Sequence, residues 1–329
     1  MKKTILAFSR VSPSMLEPYI DKYDIVIMSP KLGDMDVQFE AALPNAHGLI
    51  GGNRRLGEVE LASAKNLEII SSISVGYDNY DLSYINSRGI MLTNTPDVLN
   101  ETTADLAFAL ILATARRIPE LDAWTKNGNW STTIDTSYFG CDVHGKTLGI
   151  IGLGKIGEAI ARRGFFGFGM NILYSGKSRK PQLEQELGAR FVPQEQLLIE
   201  SDFVCPVVPL TAETRNLIGQ KELALIGAEG ILINVSRGPV VDQDALIQAL
   251  EEKTIRGAGL DVYVEEPLTD SRLFKLKNVV TVPHIGSATN DTRDAMAKRA
   301  LDNLLMGLEG QWPRDLVNSH ALRQSELTR

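Results

Sequence analysis

Cysteine is scarce in this chain of 329 residues: Cys141 and Cys205 are the only two. They stand apart with no C-x-x-C spacing. That excludes a disulfide framework and a metal site, and it points to a reducing compartment. Long apolar runs are also missing. No segment approaches the ~20 residues that span a bilayer. The amino-terminal run "TILAF" is too short for a signal-peptide core and is ended by Arg10. No membrane contact and a cytoplasmic location are therefore expected. Positive charge is not in excess either. A formal net charge of -7 argues against nucleic acid as a partner, although it leaves room for a local basic patch. No repeat of fixed period and no low-complexity segment occurs, which excludes a solenoid.

What is present reads as an ordinary globular composition, 43% hydrophobic and 23% charged. The length exceeds a usual single core, so two domains are expected. Short β-rich runs alternate with helical ones from Thr4 to about Thr95 ("TILAF", "DIVIM", "AHGLIGG", "LEIISSIS", "GIMLTN"). A second series runs through "KTLGIIGLG", "MNILYSG", "DFVCPVVPL", "GILINVS", "GAGLDVY" and "VVTVPHIG". Such alternation predicts parallel sheets covered by helices, an α/β fold of the doubly wound kind. Between the two series, "NTPDVLNETTADLAFALILATARRIPELDAWTKNG" reads as one long helical stretch with Asn100 as N-cap. Its core "ADLAFALILATA" is apolar nearly all round, which suits a helix buried on several sides or against a second subunit. "TNDTRDAMAKRALDNLLMGLEG" reads as one amphipathic helix, and the polar "SHALRQSELTR" after it as a loosely held tail.

"LGIIGLGKIGEAIARR" carries Gly152, Gly154 and Gly157 in G-x-G-x-x-G spacing. The spacing alone is weak evidence, since a Gly-rich turn arises readily. Here an apolar β-type run precedes it and a helix-forming run follows, which is the context that dinucleotide binding requires. One expected residue is absent. An acid should close the next strand to accept hydrogen bonds from the adenosine ribose, yet "MNILYSGKSRK" has Ser175 there, followed by Lys177, Arg179 and Lys180. A solvated basic turn explains the lysines and the arginine but not the missing acid. A site for the 2′-phosphate of NADP explains both.

Three strand ends of the second series carry polar groups where ligands of such sheets bind. Arg237 follows "INVS", Asp261 and Glu266 follow "GL" in "GLDVYVEEP", and His284 lies in "VPHIGSAT". Taken singly, each is an ordinary solvated charge or a structural histidine. Together they form a coherent site. Hydride addition to a ketone carbon leaves negative charge on oxygen, which an imidazolium can protonate and a guanidinium can stabilise. A carboxylate beside the ring orients it and favours its charged form.

At these residues the sequence resembles the D-isomer-specific 2-hydroxyacid dehydrogenases. The likeness runs nearly the full length, through "ISVGYDNYD", "NTPDVLNETTADLAFALILATARR", "GIIGLGKIG", "INVSRGPVVD", "GLDVYVEEP" and "VPHIGSAT". Within the family it looks most like the glyoxylate/hydroxypyruvate and 2-ketogluconate reductases, which implies NADPH as cofactor, with NADH used less efficiently. The resemblance implies that Arg237 binds and polarises the substrate, Glu266 tunes the histidine and His284 is the acid/base. It also implies that amides around Val75 and Gly76 take the substrate carboxylate. Cofactor contacts are expected from Gly152, Gly154, Lys155, Ile156, Gly157, Ser175, Gly176, Lys177, Arg179, Pro209, Val235, Ser236, Asp261 and Gly286. It further implies a homodimer and a discontinuous substrate domain, residues 1–100 with 288–329. A Rossmann cofactor domain, 101–287, would be inserted into this flavodoxin-like one, with the active site in the cleft between them.

The expected reaction is NADPH-dependent reduction of a small 2-oxoacid such as glyoxylate, hydroxypyruvate or 2-ketogluconate. A phosphoglycerate-type dehydrogenase is the alternative within the enzyme class; no appended regulatory domain is expected after the last long helix, but short members of that type exist, so the alternative stays open. A dinucleotide-sensing binding protein of the same fold is the alternative outside it. Arg54 and Arg55 are expected to be solvated loop arginines, with a sugar acid or phosphate as the rival reading. Trp130, Tyr138 and Phe139 are expected to pack in the ordinary way, although the resemblance allows an aromatic there to enter a partner's pocket. His47, His144 and His320 are assigned no role.

Overall fold

The computed structural model describes residues 2–327. The chain divides into two compact units, Met1–Leu99 with Thr289–Arg329, and Asn100–Ala288.

The first unit is built on five parallel strands: β1 (Thr4–Ala7), β2 (Asp24–Ile27), β3 (Ala46–Gly51), β4 (Ile69–Ser72) and β5 (Met91–Thr93). Their order is β2-β1-β3-β4-β5, the flavodoxin-like arrangement. Burial follows position in the sheet. β4, near the centre, is buried at every residue, whereas β2, at the edge, alternates between exposed and part-buried. The Asn290–Leu308 helix returns to this sheet, capped by the Thr289 hydroxyl on the Thr292 N–H. Met296, Ala297, Ala300, Leu301 and Leu304 form its buried stripe, and Ser71 Oγ donates to the Ala300 carbonyl at 2.7 Å. The polar segment after it is not a loose tail. Asn318 is buried, accepts from the Leu92 N–H at 3.0 Å, donates to the Ile90 carbonyl at 2.9 Å, and is followed by the Ser319–Leu327 helix. Residues 328–329 of the expected tail lie outside the described residues.

The second unit holds seven parallel strands: β6 (Thr147–Ile151), β7 (Asn171–Ser175), β8 (Arg190–Phe191), β9 (Phe203–Pro206), β10 (Ile231–Asn234), β11 (Gly257–Leu260) and β12 (Val279–Thr281). The order β12-β11-β10-β9-β6-β7-β8 is that of a Rossmann sheet, with the chain reversing direction across the sheet between β6 and β9. β9, β10 and β11 are buried throughout, which is why they read as unbroken apolar runs.

The Asn100–Ala115 helix lies on β10 and β11 and against the Lys155–Arg162 helix. A Cβ on Gly259 would sit 2.9 Å from Leu110 Cβ, so this strand glycine is what allows the helix so close. Eight of the helix's sixteen residues are buried in the single chain, which accounts for much of its all-round apolar character without a second subunit. The helix begins at Asn100. The stretch is also not one helix. Arg117 takes a left-handed conformation (φ 54) and Pro119 opens a separate helix, Ile118–Lys126. The Arg117 guanidinium grips Glu120 at 2.8 and 2.9 Å and reaches the Ser137 carbonyl, fixing the bend.

Among the described residues no helix is long and apolar enough to cross a membrane, and no group of three or more His, Cys, Asp or Glu is placed to hold a metal.

Candidate active site

β6 delivers the chain into the glycine turn at the point of chain reversal. Gly152 has φ +96, and a Cβ there would lie 2.5 Å from the Val207 carbonyl oxygen, so only glycine makes this turn. At Gly157 a Cβ would come within 2.6 Å of the Gly152 carbonyl oxygen, so helix and turn pack without room for a side chain. Gly154 differs: it caps the Lys155–Arg162 helix, and a Cβ on it meets nothing within 4 Å. Open space therefore lies before a helix N-terminus whose first-turn N–H groups, at Lys155 and Ile156, have no intrahelical acceptor. A cradle of this shape and donor set fits a dinucleotide pyrophosphate.

Ser175 ends β7 beside that turn. It is buried, and its carbonyl accepts from the Gly152 N–H at 2.9 Å. Gly176 follows, with its Cβ position 3.9 Å from Gly152 Cα. The basic turn thus begins against the glycine turn. Lys177 is exposed, whereas Arg179 is engaged with Glu184 through Nε at 3.1 Å and Nη2 at 2.5 Å. Val235 and Ser236 are buried past the end of β10, with Ser236 Oγ donating to Asn234 Oδ1 at 2.9 Å. Pro209 lies in the loop after β9, its carbonyl accepting from Thr214 Oγ1 at 2.6 Å.

The three strand-end groups do come together. His284 Nδ1 lies 2.5 Å from Glu266 Oε2, and Glu266 Oε1 accepts from the Tyr263 N–H at 3.0 Å. Burial pushes the Glu266 carboxyl up, but its hydrogen bonds to His284 and Tyr263, with the charges of His284 and Arg237, outweigh that and hold it below its ordinary value. With the carboxylate on Nδ1, the imidazole presents Nε2 as its remaining nitrogen. Arg237 Nη1 donates to the Ser236 carbonyl at 2.8 Å, and Asn234 Nδ2 donates to the Arg237 carbonyl at 3.0 Å. Gly238 joins the Arg237 loop to the Glu266 loop: a Cβ there would overlap the Tyr263 carbonyl at 1.9 Å.

His284 itself has φ 51, a left-handed conformation uncommon for a residue with a side chain. Asp261 is the device that holds it. Buried to 1% exposure, its carboxylate accepts from the Ile285 N–H at 2.6 Å through Oδ1 and from the Gly286 N–H at 2.9 Å through Oδ2. Burial raises the Asp261 carboxyl above its ordinary value despite these bonds. Thr103 Oγ1 completes the clamp on the Gly286 carbonyl at 3.2 Å. Both oxygens of Asp261, expected to face the cofactor, thus bond to the backbone of the histidine turn. Thr103 left no sequence signal, since it acts on a backbone carbonyl 183 residues away, whereas Tyr263 and Asn234 bond groups only three residues on and sit unnoticed inside the strand-end motifs.

In the first unit Val75 and Gly76 follow β4. Asn94 Nδ2 fixes the Val75 carbonyl at 2.9 Å and the Thr95 N–H fixes Ser74, while the Val75 and Gly76 N–H groups meet no protein acceptor among the described residues. Arg54 is not a solvated arginine. It pairs with Asp36 at 2.8 Å and lies 3.9 Å above the Phe39 ring, with its side chain 24% exposed. Tyr138 packs on Trp124, but Trp130 and Phe139 do not pack as expected; they are 65% and 55% exposed. His47 accepts from the Thr4 N–H at 3.1 Å, a bond between β3 and β1.

Comparison with known proteins gives this geometry its context. Residues 108–286 match the family model described as "D-isomer specific 2-hydroxyacid dehydrogenase, NAD binding domain". A glyoxylate/hydroxypyruvate reductase B of Escherichia fergusonii is 44% identical over 320 residues, covering 97% of this chain and 98% of its own. One of Yersinia pseudotuberculosis is 45% identical over 323 residues, covering 98% and 99%. Among solved structures, an NADPH-dependent glyoxylate/hydroxypyruvate reductase of Sinorhizobium meliloti, in complex with NADP and malonate, superposes with a TM-score of 0.83 at 34% identity, covering 96% of this chain and 97% of that one. The chain belongs to the D-isomer specific 2-hydroxyacid dehydrogenases, and it is an oxidoreductase of that family.

Proposed function

We propose that the enzyme reduces small 2-oxoacids, glyoxylate and hydroxypyruvate foremost and 2-ketogluconate also, to D-2-hydroxyacids with NADPH as the preferred cofactor. The observation that carries this reading is the 2.5 Å contact of His284 Nδ1 with Glu266, which directs the other ring nitrogen to act as proton donor. A reduced nicotinamide, when bound on the Gly152–Gly157 cradle, supplies the hydride. The chain's own residues do the rest. The imidazolium of His284 gives its Nε2 proton to the carbonyl oxygen as negative charge develops there and is left neutral, and Glu266 stabilises the cationic ring that precedes the transfer. Arg237 draws charge toward the carbonyl oxygen and grips the substrate carboxylate with its planar fork. The unengaged N–H groups of Val75 and Gly76 are themselves suited to a carboxylate.

The cofactor preference rests on Ser175, which replaces a repelling carboxylate with a small hydroxyl, and on the cations that follow it. A single charged hydrogen bond to the 2′-phosphate gives roughly tenfold discrimination or more. A homodimer belongs to the same reading. Exposed Ile118, Trp130, Ile134 and Phe139 on the 118–139 segment form the surface on which a second copy would pack.

The test is a panel of 2-oxoacids assayed with NADPH and NADH. The reading expects turnover of glyoxylate and hydroxypyruvate with a clearly higher kcat/KM for NADPH. No turnover of any 2-oxoacid would favour the dinucleotide-sensing alternative, and equal kcat/KM for the two cofactors would remove the basic turn from selectivity.

A further inference from the structure

The carboxylate missing from the end of β7 has a counterpart nine residues on, at Glu184, where neither the glycine motif nor the basic turn assigns it a role. Its setting is built from inside the unit outward. Tyr174 is the buried residue before Ser175, and its hydroxyl lies 2.5 Å from Glu184 Oε1, to which it donates. The same hydroxyl accepts from the Lys180 N–H at 2.7 Å, so one buried phenol ties the end of the basic turn to the strand that begins it. The Glu184 N–H in turn donates to the Lys180 carbonyl at 3.0 Å. At its start the turn rests against Gly152, through Gly176 and through the 2.9 Å bond from the Gly152 N–H to Ser175. Both ends of the turn are therefore fixed relative to the glycine cradle.

Arg179 occupies this fixed frame in a particular way. It meets Glu184 along its side edge, through Nε and Nη2. A guanidinium has five N–H donors, and engaging its side edge leaves its end-on fork, Nη1 with the second Nη2 proton, available for a planar two-pronged contact. The pairing shows in both partners. The hydrogen bonds from Arg179 and Tyr174 hold the Glu184 carboxyl below its ordinary value, and the bond to Glu184 raises the Arg179 guanidinium above its own. An exposed arginine on a free stem would lose rotamer freedom each time it met a ligand. One already clamped along its side edge has lost that freedom beforehand. Lys177 and Lys180, with no comparable clamp on their side chains, contribute charge without fixed geometry.

We infer that Glu184, steadied by Tyr174, is a positioning residue that aims the end-on fork of Arg179 at the 2′-phosphate of NADP. This rests on the proposed preference for NADPH, and it gives Glu184 the reverse of the role that an acid at position 175 would have. There a carboxylate faces the ribose and repels the phosphate; at 184 it stands behind an arginine and assists binding.

The test uses the full-length enzyme and isothermal titration with NADP⁺ and NAD⁺, so that affinity is read without turnover. Glu184→Gln should raise the Kd for NADP⁺ roughly five- to tenfold while leaving NAD⁺ within about twofold. Tyr174→Phe should act in the same direction and less. In an Arg179→Ala background, Glu184→Gln should change the NADP⁺ Kd by less than about twofold, because the group it aims is gone. Retained NAD⁺ binding shows that each variant is folded. Should Glu184→Gln not fold, Glu184→Asp withdraws the carboxylate from Arg179 with the charge kept, and the same rise is expected. If Arg179→Ala weakens NADP⁺ binding but the Glu184 variants leave it unchanged or tighten it, the inference is overturned while the cofactor reading stands. If the unmodified enzyme binds the two cofactors equally, the cofactor reading fails and the inference with it.

Discussion

Two regions of the second unit are held in different ways. The histidine corner is fixed by buried groups acting on backbone: Asp261 on the N–H groups of Ile285 and Gly286, Thr103 on the Gly286 carbonyl, and Gly238 against Tyr263. The basic turn is fixed by charged side chains near the surface, with Arg179 65% exposed on its partner Glu184. The first arrangement keeps a side chain in an unfavourable backbone conformation and tolerates little change. The second is screened by water and salt and can be retuned by single residues. On the proposed reading, chemistry sits where the structure is over-determined, and cofactor choice where it is adjustable.

Changes at the corner should therefore act strongly on kcat. His284→Gln should lower kcat by roughly 10²–10⁴ with cofactor affinity nearly unchanged, read by steady-state kinetics beside a binding titration. Near-normal turnover would move the proton donor elsewhere. Arg237→Lys keeps the charge but loses the planar fork, so the KM for the oxoacid should rise and kcat should fall, by roughly 10- to 100-fold in kcat/KM. Wild-type kinetics would take Arg237 out of the site.

Asp261→Asn sharpens the comparison, because it tests the clamp rather than the chemistry. Asparagine can accept from only one of the two N–H groups, and its amide opposes the other. The expected result is a fall in kcat of about tenfold, together with faster hydrogen exchange at Ile285 and Gly286. Unchanged exchange would show that the turn does not depend on this carboxylate.

Glu266→Gln gives a smaller effect of definite sign. The Glu266 carboxyl, held below its ordinary value, is anionic through the neutral range and opposes Nδ1 of the ring. Loss of that anion disfavours the protonated imidazole, and reduction needs the protonated form. The alkaline limb of kcat/KM should therefore move to lower pH, and an alkaline shift would contradict the pairing.

Much of this was legible in the residues, and for a physical reason. Strands buried on both faces must be apolar throughout, so β6, β9, β10 and β11 announce themselves. β8 did not, because Arg190 and Phe191 are two exposed residues at an edge, too few to show a period. The bend at Arg117 was missed although Pro119 marks it, since the residues on both sides favour helix. The Ser319–Leu327 helix was missed because its polar sequence shows no apolar stripe. At the site, Arg237, Glu266 and His284 could be picked out because ligands of such sheets meet strand ends. Asp261 was picked out as well, but as a cofactor contact; its bonds to backbone N–H groups across more than twenty residues follow no spacing that a sequence displays.

Ionic strength tests the contrast between the two regions most directly. NADPH and NADH affinities and kcat for hydroxypyruvate should be measured from about 50 to 500 mM salt, where screening lengths shorten from roughly 14 to 4 Å. The account predicts that the Kd for NADPH rises several-fold, that for NADH much less, and that kcat at saturation stays flat. A kcat that falls with salt, beside an NADPH affinity that does not, would contradict it.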